Sequence, residues 1–140
     1  MRSNITSLGK FLAKKIIKNS EFENFLDTSD EWIKSRTGIK ERRQLDIGKA
    51  SSYMAIKAIE QLINRSKIKI NELDAIIVST ITPDMVFPST ACLIQDYFKI
   101  KKCWGFDLSA ACSGFLFGLE VGNNLIVSGK YNKVVIVGVL

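Results

Sequence analysis

A cysteine lies in a run of small residues, DLSAACSG (residues 107–114), between a strand-like segment and a helix-like one. At a helix N-terminus, free N–H groups and the positive end of the helix dipole stabilise a thiolate. The small neighbours of Cys112 let a substrate carbonyl come close, and the backbone N–H of this residue can donate to an oxyanion. The pattern predicts a nucleophile. The alternative is a small buried apolar residue, which is the commoner fate of a free cysteine.

The other cysteines do not extend this candidate site. The chain has three cysteines and no histidine. We predict that Cys92, in a helical stripe, and Cys103, at the start of a strand, belong to the core. An odd number of cysteines without a CxxC pair argues against a disulfide framework, and the absence of histidine argues against a metal site. This cysteine usage favours a reducing compartment, so we expect a location in the cytoplasm or in a plastid stroma.

The composition is that of a globular domain with a positive charge. The 140 residues are 46% hydrophobic and 24% charged, and 20 Lys and Arg against 14 Asp and Glu give a net charge of +6. This charge favours anionic partners such as a nucleotide, a phosphorylated cofactor or an acidic carrier protein. A nucleic-acid-binding module is disfavoured, because the basic residues are not interleaved with aromatic ones. No apolar run reaches the roughly 20 residues that span a bilayer.

Apolar spacing along the chain predicts alternating strands and helices. Residues 8–12 are a candidate first strand or turn, and Thr28 or Ser29 is a candidate helix N-cap. Strands that alternate with helices indicate an α/β fold with a largely buried sheet, which would hold Cys112 at the turn from a strand to the last helix. The predicted helices cover residues 51–63, 88–98 and 113–127, and the predicted strands cover residues 73–78, 105–109 and 133–140.

Two glycines on the predicted helix after Cys112 have a GxxxG spacing. In a membrane helix, Gly118 and Gly122 would indicate helix dimerisation, but Glu120 and the adjacent asparagines exclude that environment. We therefore predict that the two glycines let this helix pack closely beneath the candidate site.

Three longer segments carry a resemblance to a known family. They are DTSDEWIKSRTGIKERR (residues 27–43), VFPSTACLIQ (residues 86–95) and FDLSAACSGFLFGL (residues 106–119). In this order they resemble the coenzyme A-binding, dimer-interface and active-site cysteine segments of β-ketoacyl-acyl carrier protein synthase III, a thiolase-like condensing enzyme. The resemblance implies the N-terminal half of a layered αβαβα fold, in which helices flank a mixed sheet. It also implies that residues 1–140 form one N-terminal thiolase-like domain that is truncated at its C-terminal end.

The resemblance implies a two-step reaction that initiates fatty acid synthesis. An acyl group passes from acyl-coenzyme A to Cys112 as a thioester, and malonyl-acyl carrier protein then loses CO2 and attacks that thioester. The His and the Asn that serve the second step in the family are expected beyond Leu140. The implied protein has no permanently bound cofactor, uses acyl-coenzyme A as a substrate, and forms a homodimer. Its other partner would be malonyl-acyl carrier protein, with no nucleic acid and no membrane.

The resemblance also assigns roles to four further residues. Thr28, Trp32 and Arg36 are implied to bind coenzyme A, since an indole can stack on adenine and a guanidinium suits phosphate. Phe87 is implied to line the acyl pocket and the dimer contact. The alternatives are a helix cap for Thr28, a core aromatic for Trp32, an ion pair for Arg36 and ordinary interface packing for Phe87. Nearby cations form a predicted positive rim: Lys34, Lys40, Arg42 and Arg43.

Two other functions remain open from the sequence. One is an inactive fragment from a truncated gene, and the other is a related thiolase-superfamily acyl synthase with another acceptor. An acetyl adduct on Cys112 after incubation with acetyl-coenzyme A would separate an acyl-accepting chain from an inactive one.

Overall fold

The structure is a computed structural model that describes residues 2–140. The described chain divides into two compact units. The larger unit comprises residues 2–11 and 50–140, and the smaller unit comprises Leu12–Lys49. Each unit contains its own sheet, so the two are described separately.

The smaller unit is a two-stranded antiparallel sheet with two short helices. Lys15 pairs with Gln44 at one end of the sheet, and Lys18 pairs with Glu41 at the other. Both helices lie between the two strands in sequence. In chain order the elements are β1 (Lys15–Lys18), α1 (Asn19–Phe22), α2 (Asp30–Thr37) and β2 (Glu41–Gln44).

Both ends of α2 are defined by residues suited to helix termini. The Ser29 hydroxyl accepts a hydrogen bond from the Trp32 N–H and so caps the first turn. Of the two N-cap candidates, Ser29 is therefore the one that the fold uses. Gly38 follows the last turn with a φ of 71°, and its N–H donates to the Lys34 carbonyl. This left-handed conformation carries little steric cost for glycine, so the helix ends there.

The larger unit is built on a three-stranded parallel sheet. The strand order is β4-β3-β5, and Ile77 in the middle of β3 lies opposite Phe106 on one side and Ile136 on the other. All five residues of β3 are buried. The elements are α3 (Ser51–Arg65), β3 (Ala75–Ser79), α4 (Thr90–Tyr97), β4 (Trp104–Leu108), α5 (Gly114–Val127) and β5 (Val134–Gly138), with single 3₁₀ turns at Ile70–Glu72 and Ala111–Ser113.

Helices cover both faces of this sheet. On one face, Ile76 and Val78 pack in a common core with Ile59 of α3 and Ile94 of α4. Side chains of neighbouring strand residues point to opposite faces, so Ile77 turns to the other side, where α5 lies. The near-continuous apolar sequence of β3 is the pattern expected for a parallel strand that is covered on both faces.

Glycines let α5 lie close to the sheet. A Cβ atom placed on Gly118 would be 2.9 Å from Ile136 Cγ2, and one placed on Gly122 would be 2.7 Å from Ile136 Cδ1. Any larger side chain at these positions must displace its neighbours. The predicted close packing of the helix after Cys112 is confirmed.

The structure confirms the α/β class and the elements that apolar spacing predicted, with boundaries that shift by a few residues. The structure differs from the predicted elements in the N-terminal part of the chain. Residues 8–12 form neither a strand nor a turn, so that prediction is wrong. Gly9 instead lies close to α3, since a Cβ atom on it would be only 2.1 Å from the Ala58 carbonyl oxygen. The β1–β2 pair was not predicted. Parallel and antiparallel pairing occur in separate sheets. No helix within residues 2–140 has the length and apolar character needed to cross a membrane.

Candidate active site

Cys112 lies on the 3₁₀ turn that joins β4 to α5. Cys112 is exposed, whereas Cys103 is buried. The turn is closed by the Ser113 N–H, which donates to the Ala110 carbonyl at 3.1 Å. Ser113 is then the N-cap of α5, so Cys112 directly precedes the positive end of the helix dipole. The alternative that Cys112 is a buried apolar residue is wrong.

The backbone just before Cys112 has an unusual conformation. Ala111 has a φ of 43°, in the left-handed region. This region costs an L-residue with a Cβ atom roughly 1–2 kcal/mol, so the surrounding hydrogen bonds must hold it in place. Strained residues of this kind are concentrated at functional sites. The turn therefore stores a local strain next to the candidate nucleophile.

Hydrogen bonds from β3 anchor the turn on both sides. The Thr80 N–H donates to the Leu108 carbonyl at 3.1 Å, where β4 ends. The Ser79 hydroxyl donates to the Gly114 carbonyl at 2.8 Å, where α5 begins. Both anchors come from the end of the central strand, so the turn that carries Cys112 is fixed relative to the sheet.

The two remaining cysteines are less exposed than Cys112. Burial, with a smaller contribution from Asp74, raises the pKa of the Cys103 thiol to about 11. The Cys92 Sγ atom lies 3.2 Å from the Ser89 hydroxyl, which donates to it, within the first turn of α4. The prediction of a core position is confirmed for Cys103, while Cys92 is only partly buried. No cluster of His, Cys, Asp and Glu within residues 2–140 could hold a metal ion.

Phe87 lies on an exposed loop between β3 and α4. The Phe87 side chain is 87% exposed, and the peptide bond to Pro88 is cis. The Asp107 carboxylate on β4 accepts hydrogen bonds from the N–H groups of Thr90 (2.7 Å) and Ala91 (2.9 Å), and so fixes the start of α4. The loop that carries Phe87 is therefore anchored to the strand that leads to Cys112.

The predicted coenzyme A residues of the smaller unit lie on or next to α2. Trp32 is 56% exposed, so the alternative of a core aromatic is wrong. The Arg36 Cζ atom lies 5.8 Å from the centroid of the Trp32 ring, which is cation–π distance. Arg36 forms no ion pair with any residue in the described part of the chain. An aromatic face and a guanidinium thus stand side by side on one exposed face of this helix.

Thr28 precedes this helix and has a buried hydroxyl. Its Oγ1 atom has no hydrogen-bond partner among residues 2–140. Because Ser29 caps α2, the alternative of a capping role for Thr28 is wrong. A buried polar atom without a partner costs free energy, so the Thr28 hydroxyl is a position where a ligand atom could supply the missing bond.

The predicted positive rim is mostly engaged within the smaller unit. Lys34 pairs with Asp30 at 2.5 Å, and Arg43 pairs with Glu41 at 3.3 Å. Arg42 donates to the Asn19 side chain at 2.8 Å and lies over the Phe22 ring. Three of the four predicted cations therefore have a partner already.

Comparison with known proteins shows similarity to one family over nearly the whole chain. A family model described as 3-Oxoacyl-[acyl-carrier-protein (ACP)] synthase III matches residues 106–139, which include Cys112. The β-ketoacyl-[acyl-carrier-protein] synthase III of Chlorobaculum tepidum is 52% identical over 139 residues, or 99% of this chain. The chain is homologous to synthase III. It corresponds to the N-terminal part of the synthase III sequence, and it spans 42% of the length of that relative.

Solved structures of synthase III show the same fold. The 3-oxoacyl-[acyl-carrier-protein] synthase III of Aquifex aeolicus is 44% identical and superposes with a TM-score of 0.91 over 96% of this chain and 43% of its own. The priming β-ketosynthase of the R1128 polyketide pathway is 28% identical, with the same TM-score over 96% of this chain and 40% of its own. The predicted thiolase-like α/β fold is confirmed, as the N-terminal part of that fold.

The predicted synthase III residues divide between the two units. Cys112 and Phe87 belong to the larger unit, and Thr28, Trp32 and Arg36 belong to the smaller one. Within the smaller unit the structure brings the three coenzyme A candidates together on and beside α2. Sequence reasoning missed Asn19, which is 1% exposed and hydrogen-bonded to three parts of the smaller unit. No pattern in the sequence indicates it, since Asn19 stands between a lysine and a serine.

Proposed function

We propose that the chain accepts an acyl group from acyl-coenzyme A on Cys112, as the first step of a synthase III reaction. The Cys112 thiolate attacks the thioester carbonyl, and the carbonyl oxygen takes the negative charge. The carbonyl re-forms as the carbon–sulfur bond to coenzyme A breaks, and the departing coenzyme A thiolate takes up a proton. The acyl group is then held as a thioester on Cys112, with no change in oxidation state.

The exposed position of Cys112 on its anchored turn is the observation that carries this proposal. A thiol must be reachable by substrate to act as a nucleophile, and the end of a helix that faces it favours negative charge. The strained Ala111 and the bonds from Ser79 and Thr80 hold that thiol in one place. We propose the Cys112 N–H as the donor to the oxyanion.

The smaller unit is proposed to bind coenzyme A. The exposed Trp32 indole offers a stacking surface for adenine, and Arg36 beside it offers a planar donor for a phosphate. The unpartnered Thr28 hydroxyl is proposed to bond the adenine edge. Together these groups suit a nucleotide that ends in phosphates, which agrees with the net positive charge of the chain.

The second step is proposed for the whole synthase III protein. Malonyl-acyl carrier protein loses CO2, its carbanion forms a carbon–carbon bond to the acyl carbonyl, and the Cys112 thiolate leaves. The present sequence contains no histidine, so the proposal for this chain itself ends at the acyl-cysteine. We also propose that the whole protein forms a homodimer, in which Phe87 of one protomer lines the acyl pocket of the partner protomer.

The first step is tested by intact-mass spectrometry after incubation with acetyl-coenzyme A. We expect one acetyl group on the wild-type chain, none on Cys112→Ala, and one on the matched control Cys92→Ala. Peptide mapping should find the group on Cys112. Folded wild-type protein that gains no acetyl group, or that gains it equally in Cys112→Ala, would contradict the proposal.

A related synthase with a different acceptor is the second candidate. The polyketide priming β-ketosynthase has the same fold over nearly all of this chain, so the fold does not separate the two. Among the solved structures, the identity to the Aquifex aeolicus synthase III is 44% against 28% for the priming β-ketosynthase, which favours the first candidate. Both share acyl transfer to cysteine and differ in the thioester that accepts the acyl group. Acceptor assays of the whole protein with malonyl-acyl carrier protein therefore distinguish them.

A further inference from the structure

Asn19 is the buried polar centre of the smaller unit. Its side chain is 1% exposed and makes three hydrogen bonds. The Nδ2 group donates to Asp30 Oδ1 at 2.9 Å and to the Ile39 carbonyl at 2.7 Å. The Oδ1 atom accepts from Arg42 Nη1 at 2.8 Å. Both amide hydrogens and the amide oxygen are thus used, so this side chain fits its surroundings in one orientation only.

These three hydrogen bonds hold α2 at both ends and connect it to β2. Asp30 is the first residue of α2, and Ile39 follows the glycine that ends the helix. Arg42 belongs to β2 and also lies 4.8 Å from the centroid of the Phe22 ring. Hydrogen bonds from Lys34 and then from Asn19 lower the pKa of Asp30, in agreement with a carboxylate that is held between them.

The side of α2 that carries Asp30 differs from the exposed side that carries Trp32 and Arg36. At 100° per residue, Asp30, Ile33 and Thr37 share one side of the helix, and Ile33 is buried there. Trp32 and Arg36 lie about 110° away around the helix axis. Rotation of α2 about its axis would therefore move Trp32 and Arg36 together, and the bonds of Asn19 oppose that rotation.

We propose that Asn19 is a positioning residue: its amide fixes the rotation of α2 and thereby aims Trp32 and Arg36 at the nucleotide end of coenzyme A. This inference rests on the proposed function of the smaller unit. Asn19 itself touches no ligand in this scheme. It acts through Asp30 and the Ile39 carbonyl, which set the orientation of the helix.

The test substitutes Asn19→Asp in the full chain. An ionised carboxylate at position 19 cannot donate a hydrogen bond. It would be repelled by the negative charge of the Asp30 carboxylate and by the negative end of the Ile39 carbonyl dipole. We expect the Kd for coenzyme A to rise about tenfold, the size of effect that the loss of buried charge-assisted hydrogen bonds produces. Binding is measured by calorimetry at a temperature where denaturation curves show each variant to be folded. Asn24→Asp adds the same charge at an exposed position of the same unit and should leave the Kd unchanged.

A second variant reverses the polarity of the central bond. In Asn19→Asp/Asp30→Asn, the new amide at position 30 can donate to the new carboxylate at position 19. We expect this double variant to bind coenzyme A more tightly than Asn19→Asp alone. If Asn19→Asp does not fold, Asn19→Ser takes its place and should raise the Kd about threefold, because it removes hydrogen bonds without adding charge.

A ligand-free readout separates this inference from the proposed function. With Trp104→Phe as background, Trp32 is the remaining tryptophan, and its time-resolved fluorescence anisotropy reports the mobility of α2. We expect faster decay in Asn19→Asp than in Asn24→Asp. If the wild-type chain fails to bind coenzyme A, that result contradicts the proposed function. The anisotropy decay still tests the role of Asn19, because it needs no ligand. Equal anisotropy in the two variants, equal Kd values, or no recovery in the double variant would overturn the role of Asn19.

Discussion

At the scale of single residues, the three cysteines differ in the environment of the thiol. Cys112 is exposed on its turn, whereas burial raises the pKa of Cys103 to about 11. At pH 8 only about one Cys103 thiol in a thousand is then a thiolate, and it is also shielded from reagents. Cys112 is therefore the more accessible of these two thiols.

This difference predicts selective alkylation. Iodoacetamide at pH 8 should label Cys112 in the folded chain while Cys103 stays unmodified, as measured by peptide mass spectrometry. Denatured chain serves as the control and should be labelled at both positions. Labelling of Cys103 at a rate equal to that of Cys112 in folded protein would show that the burial described here is wrong.

The left-handed φ of Ala111 leads to a second prediction at this scale. Ala111 is exposed, so substitutions there test backbone strain without a change in core packing. Ala111→Val should lower the free energy of unfolding by about 1–3 kcal/mol, because a β-branched residue tolerates this region poorly. Ala111→Gly should raise the free energy of unfolding by about 0.5 kcal/mol. The relief of backbone strain exceeds the free-energy cost of the greater conformational entropy that glycine gives the unfolded chain.

Urea denaturation measures both changes in the Ala111 variants. Ala110→Gly is the matched control, because Ala110 has a φ of −149° and gains no strain relief from glycine. Ala110→Gly should lower the free energy of unfolding by roughly 0.5–1 kcal/mol. An equal loss of stability in Ala111→Gly and Ala110→Gly would contradict the strained turn.

At the scale of elements, the contact between α5 and the sheet is set by two glycines that are not equivalent. Gly118 faces the γ2 methyl of Ile136, which is fixed by the branched Cβ atom. Gly122 faces the δ1 methyl at the flexible end of the same side chain. The two positions therefore differ in how easily a neighbour can move away.

Alanine substitutions should reveal this difference. Gly118→Ala should destabilise the larger unit by about 1–3 kcal/mol through overpacking. Gly122→Ala should cost less, because the Ile136 side chain can rotate its end away, whereas the gain in helix propensity of about 1 kcal/mol is the same at both positions. Chemical denaturation with both variants provides the comparison, and each serves as the control for the other. A larger loss in Gly122→Ala would contradict the packing described here.

The elements also show what the sequence could predict. α3, α5 and the three parallel strands were predicted because apolar spacing follows directly from burial on one or two faces. β1 and β2 were missed, since KIIK and ERRQ are short and mostly exposed and show no alternation. Their pairing joins residues that are far apart in sequence, such as Lys15 and Gln44. No local pattern carries that information.

The candidate site was predictable in a similar, partial way. Small residues around a cysteine indicated the turn of Cys112, and its exposure agrees with that prediction. The φ of Ala111 could not be predicted, because alanine rarely adopts this conformation and the bonds that anchor the turn come from Ser79 and Thr80, far away in sequence. The roles of Thr28, Trp32, Arg36 and Phe87 rest on resemblance and stay predictions.

At the scale of the whole molecule, nucleotide binding and acyl acceptance are proposed for different units. Trp32 belongs to the smaller unit and Cys112 to the larger one. Acetyl-coenzyme A contains the nucleotide that Trp32 is proposed to bind, whereas a short thioester without a nucleotide offers only the group that Cys112 is proposed to accept. The two proposed roles can therefore be separated with substrates.

Trp32→Ala should lower the rate of Cys112 acetylation by subsaturating acetyl-coenzyme A about tenfold, since stacking on a base contributes roughly 1–3 kcal/mol. It should leave the rate with S-acetyl-N-acetylcysteamine unchanged. Mass spectrometry over time measures both rates, and Trp104→Phe is the control tryptophan variant. An equal loss with both thioesters would show that Trp32 acts on folding or on Cys112, and not on the nucleotide.

The central position of β3 also governs the order in which the larger unit is completed during translation. The ribosome makes β3 first, then β4, and β5 last, so the sheet grows outward from its middle strand. The turn of Cys112 is synthesised between β4 and β5, but α5 packs on Ile136 of β5. A nascent chain can therefore pair β3 with β4 while α5 still lacks the part of its support that Ile136 supplies. The turn of Cys112 can already form its bonds to Ser79 and Thr80 at that stage, before β5 completes the packing of α5.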